Sequence, residues 1–221
     1  MRSRMPGRAA ASGAGAQGAL SAGPVRLFES DFLEWFTRIN LATLVTFWVV
    51  VAAALLLLGI RWGRFGWGEG ALIALAAAAS WTLFEYLMHR FLFHIDRFVP
   101  RTERLAFLAH GCHHSDPADP GRDIMPLVMS LPVFLGLLGT GVLLAGWAFA
   151  FLFFGVFALC YLAYDVTHFA CHQWRLRGRI GGYVRRHHLA HHYAEADRNF
   201  GVSTPLWDWV FGTLRGSRRH G

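Results

Sequence analysis

Long apolar stretches without charged side chains most restrict what this chain can fold into. Residues 41–60 carry no charge, and residues 71–88 carry one, on Glu85. No charged side chain occurs from 126 to 164. This stretch is too long for one helix across a bilayer, so we divide it near 139–146. Because about 20 apolar residues in a helix cross a membrane, the sequence predicts four spans, at about 41–60, 71–88, 126–144 and 147–164.

The composition agrees with a membrane protein, since 54% of the residues are hydrophobic and only 16% are charged. These fractions exclude a disordered chain and argue against a soluble monomer. Residues 1–26, rich in Ala, Gly and Ser, are predicted to form a flexible tail, and residues 27–221 a single membrane domain. Within it, residues 27–38 have the pattern of a short amphipathic helix in the membrane interface. We expect an all-α integral membrane protein built on a four-helix transmembrane bundle.

The basic charge is explained by membrane orientation. The chain has 21 basic residues, all of them Arg, against 14 acidic ones, a balance that alone would permit nucleic-acid binding. Four spans put both termini, every histidine and most arginines on one side, which the positive-inside rule makes cytoplasmic, although Arg61 and Arg64 lie opposite. Aromatic residues do not interleave with a basic stripe, so we expect no nucleic-acid partner. The Arg, Ala and Gly richness is typical of GC-rich bacterial genomes, and we therefore expect a bacterial inner-membrane protein with a cytoplasmic site.

Histidines are the most informative residues for function. Ten of the 12 histidines form four clusters, HRFLFH, HGCHH, HFACH and HLAHH. The first and third lie at the ends of predicted spans two and four, and the second and fourth lie in the polar segments that follow. Residues three or four apart share a helix face, so in each HxxHH cluster the first ring can point the same way as the last two. The spacing of five between His89 and His94 does not fit one face of a regular helix. Either the helix ends between them, or the two rings bind different metals.

Ten imidazoles exceed the needs of one metal ion, whereas two ions with four or five imidazoles each would use the whole set. Imidazole suits iron, copper, zinc and nickel, so the ligands alone do not name the metal. The three cysteines lack zinc-finger spacing. The sequence thus predicts a histidine-rich dimetal cap on the bundle, with His187 and His220 left out. The predicted ligands are His89, His94, His110, His113, His114, His168, His172, His188, His191 and His192.

Several polar residues near the clusters are candidates for orienting the ligands. Glu85 precedes His89 by four residues and Asp165 precedes His168 by three, so each can accept a hydrogen bond from a ring N–H. Asn199 and Asp208 are further candidates for supporting the metal shell. In contrast, Asp116 and Asp119 lie in a turn-rich segment and are expected to be loop carboxylates.

The order of these motifs resembles that of the membrane-bound fatty acid hydroxylase/sterol desaturase superfamily, and most of all its fatty acid 2-hydroxylase branch. The resemblance covers about residues 81–213, and its motifs are EYLMHRFLFH, HGCHHSDP, YDVTHFACH, RRHHLAHHY and NFGVSTPLWDWVFGT. It implies a transmembrane bundle capped by a cytosolic dimetal site whose ligands are the ten clustered histidines. It also implies O2-dependent hydroxylation at C2 of a fatty acyl chain, often one carried by a sphingolipid, with iron as the working metal; zinc can occupy such a site in isolated protein.

Eukaryotic members of the superfamily often carry an N-terminal cytochrome b5 domain, for which the first 40 residues here are too few. We therefore expect a separate electron-donor protein. One alternative is an oxidase or hydroxylase of the same superfamily that acts on a sterol or carotenoid, which would share the ligands and differ in the cavity. Another is a membrane metal-binding protein without catalysis, although a transporter would place ligands along a transmembrane path rather than on one side.

Overall fold

The computed structural model describes residues 25–216, and within this range the regular secondary structure is entirely helical. The predicted tail therefore lies outside the described residues except for Val25 and Arg26, as does His220. The α-helices are α1 (Asp31–Phe36), α2 (Leu41–Trp62), α3 (Trp67–Leu87), α4 (Glu103–Ala106), α5 (Cys112–Ser115), α6 (Leu127–Ala145), α7 (Trp147–Gln173), α8 (Gly178–Tyr193) and α9 (Leu206–Val210). Two π-helical turns, Met88–Phe93 and Phe107–Gly111, and a 3-10 turn, Ile95–Arg97, complete the helical elements of this range.

Four helices in the described range are long and apolar enough to cross a membrane, as the sequence predicts. The long apolar stretch is divided by a turn at Gly146, between α6 and α7. The helix α7 continues beyond the predicted end of its span to Gln173. Hydropathy ends the span before Asp165, but this carboxylate and His168 are buried inside the protein, so the helix runs on through them.

The centre of the bundle is the contact between α2 and α7. Their backbones approach closely at two glycines, because a Cβ added to Gly59 would lie 2.6 Å from the Leu152 nitrogen, and one added to Gly155 would lie 2.8 Å from Leu56 Cγ. Small residues are commonly used in this way between membrane helices. Trp48 of α2, fully buried, makes edge-to-face contacts with Phe134 of α6 and Tyr161 of α7, which joins three helices in one core.

The topology places all ten clustered histidines at one end of the bundle. A short loop joins α2 to α3, and Gly146 joins α6 to α7, at the other end. The segments 94–126 and 174–216 follow the histidine-bearing ends of α3 and α7 and form a cap there. The predicted all-α architecture with a histidine-rich cap is confirmed.

The short helix α1 lies beside this cap. Its first turn is closed by Ser30, whose side chain accepts a hydrogen bond from the Leu33 nitrogen. Phe32 and Trp35, on the apolar side of the helix, are 70% and 71% exposed. The other side is polar: Glu34 pairs with Arg122, and Arg38 lies 2.6 Å from Asp119. Such a helix presents aromatic side chains outward in the way that interfacial helices do.

Candidate metal centre

The ten clustered histidines form two groups of five, and in each group one ligand atom per residue lies within 4.8 Å of all the others. The first histidine group contains His89, His94, His110, His114 and His191. The second histidine group contains His113, His168, His172, His188 and His192. Within the described residues, His187, Asp116 and Asp119 lie outside both groups.

The two HxxHH clusters are each divided between the groups. His110 and His114, four residues apart, join the first histidine group, while His113 between them points into the second. In α8 the division is reversed, because His188 and His192 belong to the second histidine group and His191 to the first. Residues i and i+4 are about 40° apart around an α-helix, whereas adjacent residues are about 100° apart, so the two adjacent rings of each cluster can point into different groups. The expectation that all three rings of a cluster point the same way is therefore wrong.

His89 and His94 lie in the same group because the helix widens between them. Residues Met88–Phe93 form a π-helical turn directly after α3. Such a turn is closed by i→i+5 hydrogen bonds, so it brings residues five apart to the same side of the helix. The two rings thus lie in one group rather than in two, and α3 ends at Leu87, before His89, rather than between the two histidines as the other alternative required.

Three rings are oriented by backbone carbonyl oxygens. The Nδ1 of His89 donates to the Phe200 oxygen at 2.6 Å, and that of His191 to the Arg198 oxygen at 2.8 Å. In the second histidine group, the Nδ1 of His168 donates to the Asp123 oxygen at 2.6 Å. These bonds fix the tautomer and leave Nε2 as the free ligand atom, the usual role of partners around a metal site.

The facing ring nitrogens are suited to a bound cation. The Nε2 atoms of His89 and His191 lie 3.1 Å apart, and those of His94 and His191 3.2 Å apart. Since His89 and His191 both donate through Nδ1, their neutral rings point two Nε2 lone pairs at each other, which is repulsive without a cation between them. Metal–imidazole bonds of about 2.1 Å give ligand atoms this spacing or more.

The ring nitrogens of the second histidine group also face one another at short distances. Its Nε2 atoms approach to 3.1 Å between His113 and His192 and to 2.8 Å between His172 and His188. In addition, the buried Nε2 atoms of His110, His114 and His168 have no hydrogen-bond partner among the described residues. Buried polar atoms are nearly always paired, so these nitrogens also fit two metal ions.

Burial keeps the rings in the neutral form that binds metal. Burial, together with the charge of Arg97, lowers the pKa of His94 to about 3 and that of His114 to about 4. Burial and the neighbouring histidines lower the pKa of other ring ligands well below the usual range, namely His110, His113, His188 and His191. Only an unprotonated nitrogen can bind a metal, so the groups are ready to bind at neutral pH.

Glu85 and Asp165 are buried beside the site but do not bond to the rings expected from their spacing. Glu85 Oε1 accepts hydrogen bonds from the backbone nitrogens of Val202 and Ser203, at 2.6 and 2.9 Å. Among the described residues, the donor Nδ1 of His89 uses the Phe200 oxygen, and that of His168 uses the Asp123 oxygen. Non-local loop groups therefore replace the local carboxylates as the acceptors.

Asn199 and Asp208 act on the loop that supplies two of these carbonyls. Asp208, fully buried, accepts hydrogen bonds from the backbone nitrogens of Phe200 and Gly201, both at 2.8 Å. Its Oδ2 also lies 3.3 Å from His187 Nε2. Asn199 Nδ2 donates to the His187 oxygen at 3.2 Å. Both residues thus touch the surroundings of the ligands rather than the ligands' metal-facing atoms.

Asp123 is a residue near the ligands that the sequence did not single out. Its Oδ1 lies 3.2 Å from His113 Nδ1, and Gln173 Nε2 donates to its Oδ2 at 2.6 Å. Burial raises the pKa of Asp123 to about 7, although the bond from Gln173 opposes this. Asp123 lies in a loop, ten residues after His113 and 45 before His168, so no helical spacing of three or four could have revealed it.

An apolar cavity leads from the histidine end into the bundle. It is lined by residues of α2, α3, α6 and α7, among them Met129, Phe134 and Leu137, and by Met88 of the π-helical turn. A second cavity, bordered by His110, His113 and His168, adjoins it. The two share the lining residues Phe93, Leu105, Ala109, Met125, Met129 and Tyr164. The second cavity is the one that borders both histidine groups, through His110 of the first and His113 and His168 of the second.

Comparison with known proteins gives a consistent result. The sequence model of the family described as "Fatty acid hydroxylase" matches residues 74–213. The chain is 35% identical over 191 residues to dihydroceramide fatty acyl 2-hydroxylase FAH2 of Arabidopsis thaliana, which covers 86% of this chain and 80% of that protein. It is 30% identical over 226 residues to the fatty acid 2-hydroxylase of Homo sapiens, covering 89% of this chain and 58% of the human protein.

Among solved structures, the chain resembles the one titled "Full length scs7p (only hydroxylase domain visible)". The TM-score is 0.78 at 29% sequence identity, covering 84% of this chain and 70% of the other. The predicted resemblance is therefore confirmed. The chain belongs to the fatty acid hydroxylase family and is an integral membrane oxidoreductase.

Proposed function

We propose that the protein hydroxylates C2 of a fatty acyl chain carried by a membrane lipid, using O2 and two metal ions. Each histidine group would hold one ion, and iron would be the metal of the working enzyme. The observation that carries this proposal is the pairing of two all-imidazole groups with an apolar cavity that reaches them from the bundle. Imidazole ligands suit iron as well as zinc, so the metal is a matter for experiment.

The substrate class is supported by the names of the relatives. FAH2 is named for the fatty acyl chain of dihydroceramide, and SCS7 of Saccharomyces cerevisiae, 38% identical over 143 residues, for the very long chain fatty acid of ceramide. The SCS7 match covers 62% of this chain and 36% of that protein. We propose an amide- or ester-linked acyl chain as the substrate, with the sphingolipid class as the first to be tested.

The reaction needs chemistry that side chains cannot supply. An aliphatic C–H bond is not oxidised by acid–base groups, and bound metal ions with O2 would supply the oxidant. One oxygen atom becomes the C2 hydroxyl group and the other leaves as water, with two electrons and two protons taken up. The chain itself must therefore bind the acyl group, hold C2 in position and exclude other carbons.

The apolar cavity would provide this positioning. The acyl chain would lie along Met129, Phe134 and Leu137, in a cavity whose lining is mostly apolar but includes Glu85, Ser130 and Tyr161. C2 would then stand near His110 and His168, which border the adjoining cavity and belong to different histidine groups. Holding a substrate in one orientation selects the carbon that reacts and raises the rate at that carbon.

Electrons would come from a separate donor protein. His114 and His192 are only partly buried, so this side of the site is the part that a donor could approach. Arg97, exposed and close enough to lower the pKa of His94, would favour an acidic donor. By the positive-inside rule the histidine end would face the cytoplasm of a bacterial inner membrane.

Lipid analysis provides the direct test. The chain would be expressed in a host that lacks 2-hydroxylated lipids, and the lipids would be compared by mass spectrometry with those from a host carrying His113→Ala. We expect 2-hydroxyacyl lipids only with the unaltered chain. No 2-hydroxyacyl product, together with a modified sterol or carotenoid, would overturn the proposed substrate. Elemental analysis of the purified protein is expected to find two metal ions per chain, and none would favour a different function.

A further inference from the structure

Two aspartates, Asp208 and Asp123, lie outside both histidine groups, and each is connected to a different one of the two groups. Building on the proposed two-metal function, we infer that Asp208 and Asp123 are positioning residues, each of which maintains the binding of one metal ion. Asp208 serves the first histidine group through the loop 198–203, and Asp123 serves the second. No ring of the first histidine group is a hydrogen-bond partner of Asp208 among the described residues, so Asp208 acts through the loop.

Asp208 accepts hydrogen bonds from two residues of the loop 198–203 and from Thr213. Its Oδ1 accepts from the Phe200 nitrogen and from Thr213 Oγ1, both at 2.8 Å, and its Oδ2 accepts from the Gly201 nitrogen at 2.8 Å. Thr213 Oγ1 in turn lies 2.9 Å from the Tyr86 hydroxyl, which ties the arrangement to α3. The side chain of Asp208 has no exposure to solvent. A buried carboxylate with all these donors holds the loop in one conformation.

The loop supplies the carbonyl oxygens that orient two ligands of the first histidine group. The Phe200 oxygen orients His89, and the Arg198 oxygen orients His191. These two rings have their Nε2 atoms 3.1 Å apart on either side of the position that a metal ion would take. A shift of the loop would therefore rotate two of five ligands at once.

Asp123 has the corresponding place in the second histidine group. Its backbone oxygen accepts the hydrogen bond that orients His168, and its Oδ1 lies 3.2 Å from His113 Nδ1, close enough for electrostatic attraction but without hydrogen-bond geometry. Gln173 Nε2 fixes the other carboxylate oxygen from the end of α7. The two supports share no residue, so one ion can be weakened without the other. Loss of such a supporting group typically lowers metal affinity about 10- to 100-fold.

The test measures the number of bound metal ions rather than activity. The full-length protein in detergent is loaded with zinc, dialysed against a graded chelator and analysed for metal per chain. At a chelator concentration where the unaltered protein keeps two ions, Asp208→Asn is expected to keep one. The amide substitution brings an N–H2 group against donors that the carboxylate accepts, and it displaces the loop.

Double variants identify the lost ion. Asp208→Asn with His94→Ala changes only the first histidine group and is expected to keep one ion. Asp208→Asn with His172→Ala is expected to keep about none. For Asp123→Asn the pattern should be reversed. The control is Asp197→Asn, which alters an exposed carboxylate beside the same loop and should keep both ions.

A milder variant covers the case in which Asp208→Asn does not fold. Thr213→Val has nearly the same shape and removes one donor to Asp208, so it should weaken only the first-group ion, by a smaller factor. Equal loss of both ions in either folded variant, or retention of both, would overturn the inference while leaving the proposed function intact. Failure of the unaltered protein to bind two ions would instead contradict the two-metal proposal itself.

Discussion

His114 and His192 stack face to face, with ring centroids 4.1 Å apart and planes inclined by 19°, although they belong to different histidine groups. Each is only partly buried. Of the described ring pairs that cross between the two groups, this pair has the closest centroids, and it lies near the side of the site that solvent reaches. These neighbouring rings belong to different histidine groups, so mutations that look equivalent in the sequence are expected to have different effects on metal binding.

The division of the rings can be tested with two double variants that each remove two histidines. His114→Ala with His192→Ala takes one ligand from each group and is expected to lower the affinity for both ions. His188→Ala with His192→Ala takes both ligands from the second histidine group, so the first ion should remain at full occupancy. Metal content measured over a chelator series gives the answer. If the two variants lose metal in the same pattern, the assignment of rings to groups is wrong.

Much of the architecture follows from the sequence because it depends on local patterns. Uncharged apolar stretches define the spans, and the histidine spacing of three or four marks the polar helix ends. The division of each HxxHH cluster between two groups was not predicted, although α-helical geometry turns adjacent residues such as His191 and His192 about 100° apart. The π-helical turn that unites His89 with His94 has no recognisable sequence signal.

The supporting contacts are the part that sequence reasoning could not reach. Glu85 was assigned to His89 from a spacing of four, but it bonds to the backbone of Val202 and Ser203 instead. A local spacing rule cannot foresee that a loop more than a hundred residues away supplies the competing groups. The same holds for Asp123, whose partners lie on two helices, His113 on α5 and both His168 and Gln173 on α7.

Glu34 holds the N-terminal segment 25–38 against the cap, and its titration is expected to be visible at acid pH. Burial raises the pKa of Glu34, but hydrogen bonds from the Leu27 and Phe28 nitrogens and the charge of Arg122 outweigh it and hold the pKa below the usual value. A lowered pKa means that the stabilisation is complete above the unfolded value and is lost as pH falls through the folded one.

Hydrogen–deuterium exchange of residues 25–38, corrected for intrinsic rates, is the measurement. We expect constant protection from pH 8 to 5 and a loss below about pH 4. Glu34→Gln should speed exchange at neutral pH by about tenfold or more, because a hydrogen bond to a charged group contributes about 1.5–3 kcal/mol. The matched control is Glu29→Gln, since Glu29 is exposed. Equal protection in the two variants would mean that Glu34 does not hold the segment.

The close contact between α2 and α7 predicts a large effect from one methyl group. In Gly59→Ala the added Cβ would lie 2.6 Å from the Leu152 nitrogen, which is backbone and cannot rotate away. Overpacking of this kind costs about 1–3 kcal/mol, so the thermal unfolding midpoint in detergent should fall by several degrees. Gly136→Ala in α6 is the control, because nothing lies within 4 Å of its added Cβ. An unchanged midpoint in Gly59→Ala would contradict the observed helix separation.

The depth of the apolar cavity is expected to set the acyl length that the enzyme accepts. Among the α6 residues that line the cavity, Leu137 is the farthest from the histidine end. Because an α-helix rises about 1.5 Å per residue, Leu137 lies about 12 Å along the helix axis from Met129. In Leu137→Trp the larger side chain would occupy the inner part of the cavity. We expect activity to be retained and the 2-hydroxyacyl products to shift to shorter chains.

Leu135→Trp is the matched control for this prediction, because Leu135 is on the same helix but 54% exposed on its outer surface. It introduces the same side chain at the same depth in the membrane without entering the cavity, so its product distribution should equal that of the unaltered enzyme. Mass spectrometry of the hydroxylated acyl chains compares all three proteins. A shift in both variants would point to a general effect on the bundle, and no shift in Leu137→Trp would mean that the acyl chain lies elsewhere.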